Sequence, residues 1–278
     1  MAEIGKINTL KVVRETGNGV YLDGEQLEEI LMPQKFVTAN VKSAGQAEVF
    51  IYTDSEDRLV ATTEQPLAKV GEFAFLKAVA TNRFGVFLDW GLPKDLLVPY
   101  SEQKVKMIEG KKYLVFVYLD KLSNRIVASA KVDKFLDNTP PEYITGQAVD
   151  ILIAGETDLG YKAIVNNEHW GVLYKNQVFK PLSSGDKITG YINKIREDDK
   201  IDLLVEKPGY EKIDSISAAI LKALKENRGF IALSDNSSPE MIQSMLGISK
   251  KNFKKAIGNL YKQRIIEFKS DGIKLNVG

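Results

Sequence analysis

The sequence predicts a multidomain, mainly β chain: three five-stranded barrels in tandem, followed by a small α+β domain. A glycine opens a β-prone apolar stretch at Gly19-Val20-Tyr21-Leu22-Asp23, again at Gly85-Val86-Phe87-Leu88-Asp89, and more loosely at Gly160-Tyr161-Lys162-Ala163-Ile164-Val165. These markers lie 66 and 75 residues apart, too far for a short-repeat solenoid and right for a five-stranded barrel. After Pro208-Gly209 the apolar period changes from two to about 3.6, the mark of a new domain. Domains are expected at 1–66, 67–143, 144–210 and 211–278.

The second repeat shows the unit best. Glu72 to Asp89 reads as two strands joined at Thr81-Asn82-Arg83, with the alternation of a half-buried sheet. Gly91-Leu92-Pro93-Lys94-Asp95-Leu96-Leu97-Val98-Pro99 is a punctuated crossing. Tyr113 to Asp120 and Arg125 to Ser129 supply the last two strands around a polar turn. Corresponding elements in the first repeat are Leu27–Pro33, Ala47–Asp54 and Arg58–Thr62, and in the third Trp170–Tyr174, Asp186–Ile195 and Lys200–Leu204.

Composition limits the function classes. With 278 residues and 44% apolar content the chain can fill several modest cores. The absence of cysteine excludes disulfides, thiolate metal sites and thiol nucleophiles. Met1-Ala2-Glu3-Ile4-Gly5-Lys6 lacks the regions of a signal peptide, and no run approaches the roughly 20 apolar residues of a membrane span, so a cytoplasmic setting with no membrane partner is expected. The net charge of +1 conceals segregation: −5 over 1–66, +3 over 67–143, −2 over 144–210 and +5 over 211–278. The second and fourth segments are therefore the candidates to attract a polyanion.

The last segment reads as helices and a hairpin. One helix is expected from about Ile216 to Asn227, with Ser215 as N-cap, Ile216, Ile220, Leu221 and Leu224 on one face, and Gly229 as its stop. A second starts at the Ser238 cap with Pro239 in its first turn and ends before Gly247. Ser249 caps a third, from Lys250 to about Gln263. Ile265–Phe268, a Ser270-Asp271-Gly272 turn and Ile273–Leu275 complete a winged helix-turn-helix. On the third helix Phe253, Ile257, Leu260 and Tyr261 form an apolar face, with Lys251, Lys255 and Lys262 nearly opposite. Such lysines fit contact with phosphates better than base reading, and a solvated surface is the alternative.

Phe84-Gly85-Val86-Phe87-Leu88-Asp89, Lys94-Asp95-Leu96-Leu97 and the closing Arg125-Ile126-Val127-Ala128-Ser129 resemble the S-one RNA-binding domain, an OB-fold barrel. Three tandem copies before a winged helix resemble the conserved virulence factor B family of RNA-binding regulators. That resemblance implies a face where aromatic rings stack bases and cations track phosphates. Phe84 and Phe87 fill the aromatic positions, Arg125 the basic position near the last strand, and Lys94 lies in the matched crossing. Strict alternation separates the two rings, and a bulge at Gly85 is expected to unite them; the alternative for Phe87 is a core side chain. Asn18 and Leu159 replace Phe84 in the other repeats. The position that is often histidine in the family is read as Met32, Val98 and Tyr174. The acidic first barrel is thus expected to be structural or to contact protein. In the third, Trp170 and Tyr174 beside Lys175 offer another surface, or Trp170 plugs the barrel.

Catalysis finds little support. His169 is the sole histidine, so no zinc site can be assembled around it, and neither a phosphate-binding glycine loop nor a Gly-x-Ser-x-Gly turn is present. The expectation is a non-enzymatic protein without cofactor or metal that binds single-stranded RNA in transcript regulation or translation. Its rivals are a scaffold on the ribosome or RNA polymerase, and a DNA-binding regulator acting through the winged helix.

Overall fold

The computed structural model describes residues 1–178, 181–205 and 215–276. Two compact units divide the chain, Met1–Pro208 and Gly209–Gly278. The expected boundary at Pro208-Gly209 lies outside the described residues.

In the first unit, β1 (Ile7–Thr16), β2 (Gly19–Asp23), β3 (Glu29–Pro33), β4 (Gln46–Thr53) and β5 (Leu59–Thr62) close a barrel in the order β1-β2-β3-β5-β4. A short helix, α1 (Ala39–Ala44), sits between β3 and β4 and has no counterpart in the expected elements; Phe36 and Val41 anchor this stretch in the core. Barrel 2 repeats the plan with β6 (Phe73–Thr81), β7 (Gly85–Asp89), β8 (Leu96–Pro99), β9 (Lys112–Leu119) and β10 (Ile126–Ser129). Barrel 3 does so with β11 (Ala148–Glu156), β12 (Gly160–Val165), β13 (His169–Tyr174), β14 (Lys187–Ile195) and β15 (Ile201–Leu204). In every barrel the third and fifth strands are parallel and the other pairs antiparallel.

The marker glycines have one steric reason. A Cβ on Gly19 would lie 2.1 Å from the Met32 carbonyl oxygen, on Gly85 2.1 Å from that of Val98, and on Gly160 1.9 Å from that of Leu173. Only glycine lets the second strand approach the third this closely. The expected bulge at Gly85 is absent: β7 pairs with β8 in unbroken register. Instead the first strand of each barrel bulges, between Val12 and Arg14, Ala78 and Ala80, and Ile153 and Gly155. One extra residue there bends the strand enough to close a small barrel.

Neighbouring barrels share apolar cores. Phe50, Tyr52 and Val60 of barrel 1 pack into the cluster of Leu76, Val86, Leu88, Trp90 and Val98. Phe50 and Trp90 meet edge to face with centroids 5.7 Å apart. Between barrels 2 and 3, Phe73, Val132, Leu136, Leu152 and Ile164 form a further cluster, flanked by Phe116, Phe135 and Trp170. The Phe73 amide donates to Asn167 Oδ1 (3.1 Å), and the Asp137 amide to the Glu168 carbonyl (2.9 Å).

The second unit contains α2 (Ser215–Glu226), β16 (Phe230–Ile231), α3 (Pro239–Leu246), α4 (Lys250–Lys262), β17 (Ile266–Lys269) and β18 (Gly272–Leu275). Because α2 includes Ser215, its cap position lies outside the described residues. Ser238 and Ser249 cap α3 and α4 as expected, accepting from the Met241 and Asn252 amides. The hairpin gains a third strand, β16, giving the order β16-β18-β17. Ile220, Leu224, Ile242, Phe253, Ile257 and Leu260 fill the core. Tyr261 departs from the expected apolar face: it is 51% exposed, against Phe268 of β17.

Substituting Gly19→Ala is expected to destabilise the first unit by about 1–3 kcal/mol, since a carbonyl must move. Gly17→Ala, whose Cβ meets nothing within 4 Å, should stay within about 0.5 kcal/mol of the parent. Thermal unfolding of both variants checks this; equal melting temperatures would refute the steric account.

Candidate nucleic-acid interface

Strand register fixes which side chains lie side by side on the outside of each barrel. In barrel 2, Val86 and Leu88 point into the core, so Phe87 points out. Phe87 pairs with Leu97, Leu97 with Val127, and Val127 with Tyr118, a continuous row across four strands. Phe87, Leu97 and Tyr118 are half-buried, so Phe87 is an outer-face residue and the core belongs to its neighbours. Phe84 precedes β7 and escapes strand alternation; it is 58% exposed, with the Arg83 guanidinium carbon 4.7 Å from its ring centroid. Tyr100 stands beside it, its amide donating to the Phe84 carbonyl (3.3 Å) and its hydroxyl to that of Asn82 (2.8 Å).

At the far end of the row, Tyr118 lies 5.5 Å from Phe135 and Phe135 stacks on Phe116 at 4.1 Å. Lys134 Nζ sits 4.8 Å from the Phe135 centroid and donates to Glu102 Oε2 at 2.6 Å. Partial burial, together with the Glu102 and Asp120 charges, raises the Tyr118 hydroxyl above the ordinary tyrosine range. Tyr118, Tyr100, Arg83 and Lys134 escape a sequence reading confined to the family's motif positions. Strand parity and β9–β10 pairing are the signals that find Tyr118.

The same register row exists in the other barrels with different contents. Barrel 1 aligns Tyr21, Leu31, Val60 and Tyr52. Val60 and Tyr52 are both 4% exposed, covered by the junction with barrel 2, while Arg14 lies 3.7 Å over the Tyr21 ring. Barrel 3 aligns Lys162, Val172, Asp202 and Lys194. Phe87, Leu97 and Tyr118 of the row thus stay partly exposed in barrel 2 around buried Val127, whereas Val60 and Tyr52 are occluded in barrel 1 and charge replaces the aromatics in barrel 3.

The cations expected to track phosphate are already engaged. Lys94 Nζ donates to the Asp54 carbonyl at 2.6 Å and lies 3.4 Å from Asp57 Oδ1. Arg125 pairs with the other oxygen of Asp57. Both therefore tie barrel 2 to the acidic turn of barrel 1. Partial burial works against ionisation of Asp57, but the hydrogen bond and charge of Arg125, aided by Lys94, hold it below the usual carboxylate range.

In barrel 3, Trp170 and Tyr174 both point outward on β13. Trp170 does not plug the barrel; it borders the cluster between barrels 2 and 3, with Lys162 Nζ 3.5 Å from its ring centroid. The Tyr174 hydroxyl accepts from Arg196 and lies 3.4 Å from Asp202, and Arg196 also binds that carboxylate. Lys175 pairs with Glu156 at 2.9 Å. Pairing of Gly160 with Tyr174 matches Gly19 with Pro33 and Gly85 with Pro99, so Leu173, not Tyr174, is equivalent to Met32 and Val98. His169 is buried; its Nε2 donates to the Thr139 carbonyl (2.8 Å), and its Nδ1 lies 3.0 Å from the Tyr143 hydroxyl. On α4, Lys251, Lys255 and Lys262 are exposed, with no ion pair among the described residues.

An S1 domain model matches residues 4–64 and 70–131, and the model of the CvfB-like winged helix domain matches 218–275. The conserved virulence factor B proteins of Staphylococcus saprophyticus and Staphylococcus epidermidis are each 27% identical to this chain, and that of Staphylococcus aureus strain N315 is 28% identical. Each alignment covers 98% of this chain and 94% of the relative. A crystal structure of a multidomain protein with nucleic acid binding domains from Streptococcus pneumoniae aligns over 98% of both chains at 22% identity, with a TM-score of 0.40. No helix among the described residues is long and apolar enough to cross a membrane.

Asp57 supplies a test of the junction between barrels 1 and 2. Its folded pKa lies below the unfolded value of about 4, so its contribution is present above that pH and lost as pH falls through the folded value. Asp57→Asn should lower the melting temperature at neutral pH and flatten its fall below about pH 4. Identical pH profiles would show that the ion pairs do not hold the junction. With S1 domains matched at 4–64 and 70–131, a CvfB-like winged helix domain matched at 218–275, and relatives of that name aligned over 98% of its length, the chain belongs to the conserved virulence factor B family.

Proposed function

We propose that this chain binds single-stranded RNA without catalysing a reaction, and that it acts in the cytoplasm in post-transcriptional or transcriptional regulation. Its S1 and winged-helix domains make it a nucleic-acid-binding protein. One observation carries the finer reading: the outer row of half-buried Phe87, Leu97 and Tyr118, bridged by buried Val127 and extended by exposed Phe84 and Tyr100. A base can stack on an exposed ring, a contact worth about 1–3 kcal/mol that tolerates any sequence. Arg83 beside Phe84 puts a cation where phosphates would follow, while Lys134 beside Tyr118 is paired with Glu102. Lys94 and Arg125 are assigned to the junction and only secondarily to RNA. Trp170, Tyr174 and Lys175 form at most a minor surface, since two of the three are paired internally.

The lysine face of α4 adds a sequence-independent contact through Lys251, Lys255 and Lys262. This face also fits duplex DNA, so the test carries a DNA arm. Full-length protein is titrated with labelled single-stranded RNA, single-stranded DNA and duplex DNA at two salt concentrations. Phe84→Ala and Phe87→Ala should each weaken RNA binding by about 1–3 kcal/mol with the melting temperature kept. Unchanged affinity would move binding away from barrel 2. Lys251, Lys255 and Lys262 replaced together by Gln should reduce the slope of log affinity against log salt by about 0.7 per lost contact. An unchanged slope would make these lysines a solvated surface, and a preference for the duplex would favour the DNA-binding reading.

A further inference from the structure

The lysine stripe of α4 is interrupted. Lys251, Lys254, Lys255, Gly258 and Lys262 follow the spacing i, i+3, i+4, i+7 and i+11, which places Gly258 within the stripe. The four lysines are exposed. Glycine inside a helix costs about 1 kcal/mol relative to alanine. Packing does not require it here, because a Cβ on Gly258 would meet nothing within 4 Å.

The space over Gly258 is an open pocket of about 310 Å³, lined by Asp235, Lys254, Ile257, Gly258 and Phe268. That is the lower end of the size range for small-molecule sites. Its aromatic wall, Phe268, is 43% exposed and is backed by Tyr261, with ring centroids 4.7 Å apart. On the rim, the Asp235 carboxylate lies 3.9 Å from Lys254 Nζ. A flat ring entering here meets an aromatic face, a gap with no side chain beneath it, and a hydrogen-bond acceptor at one edge. Lysines on both sides of the gap match a phosphate backbone continuing past the pocket.

We propose that this pocket receives one unpaired nucleobase of a bound RNA strand, stacked on Phe268 and presenting N–H donors to Asp235. The assignment rests on the RNA-binding reading above. A carboxylate only accepts hydrogen bonds, so it favours a base with adjacent donors. Guanine offers N1–H and its 2-amino group side by side; uracil offers one N–H between two carbonyls that a carboxylate repels. The winged helix would then contribute base preference, and the lysines affinity.

The test titrates the full chain with a uridine decamer, the same strand with one central guanosine, and a third with inosine there, which lacks the 2-amino group. Guanosine should bind about tenfold more tightly than the all-uridine strand, with inosine between, a spread typical of one stacked and hydrogen-bonded base. Gly258→Leu fills the pocket and should erase the preference while leaving the salt slope unchanged, since no cation is lost. Asp235→Asn should narrow the gap between guanosine and inosine. Phe268→Trp places a fluorophore in the wall whose emission the guanosine strand should quench. Circular dichroism melts confirm that each variant is folded. Retained guanosine preference in folded Gly258→Leu, or no quenching of the tryptophan by a strand that binds, would overturn the pocket and leave RNA binding by barrel 2 standing. Failure of the unsubstituted chain to bind any strand would overturn both.

Discussion

A backbone carbonyl pressed against the Cα of a glycine sets the geometry of each barrel. The second and third strands come so close at Gly19, Gly85 and Gly160 that a methyl group in these places would overlap the opposing carbonyl. The approach pins the register of that strand pair, and strand register decides which side chains face the core and which face outward. From it follows the row that crosses four strands on each barrel. A slip of one residue would bury Phe87 and expose Val86 and Leu88, dismantling core and surface together.

One scaffold with one register has been put to three uses. Barrel 1 spends its aromatic row on an interface, burying Tyr52 and Val60 against barrel 2, and its acidic turn holds Lys94 and Arg125. Barrel 2 keeps Phe87, Leu97 and Tyr118 of the row partly exposed. Barrel 3 replaces it with Lys162, Asp202 and Lys194, and Arg196 and Tyr174 gather around the buried carboxylate. Because barrels 1 and 2 share a core, removing residues 1–66 would strip apolar cover from barrel 2. The role of barrel 1 is therefore better probed by point substitution than by truncation.

Local signals carried the sequence reading a long way. Alternation located the strands of barrel 2, and Ser238 and Ser249 marked two helix starts through caps that involve only neighbouring residues. What escaped was non-local. The partners of Lys94 and Arg125 lie on another barrel, 37 to 68 residues away in sequence. Tyr118 joins Phe87 only through two intervening strands. The placement of Tyr174 failed because equivalence was judged along the chain, whereas pairing with Gly160 shifts it by one residue and turns it outward. Tyr261 fits the helical period of an apolar face, yet Phe268 of the hairpin meets it at the surface.

Photocrosslinking tests most directly whether barrel 2 offers the open face. An RNA strand carrying 4-thiouridine is bound to the full chain and irradiated, and the linked peptides are identified by mass spectrometry. The account predicts crosslinks around Phe84, Phe87, Tyr100 and Tyr118, and none at Tyr52 of barrel 1. Crosslinks concentrated on barrel 1 or barrel 3, with barrel 2 unmarked, would contradict it.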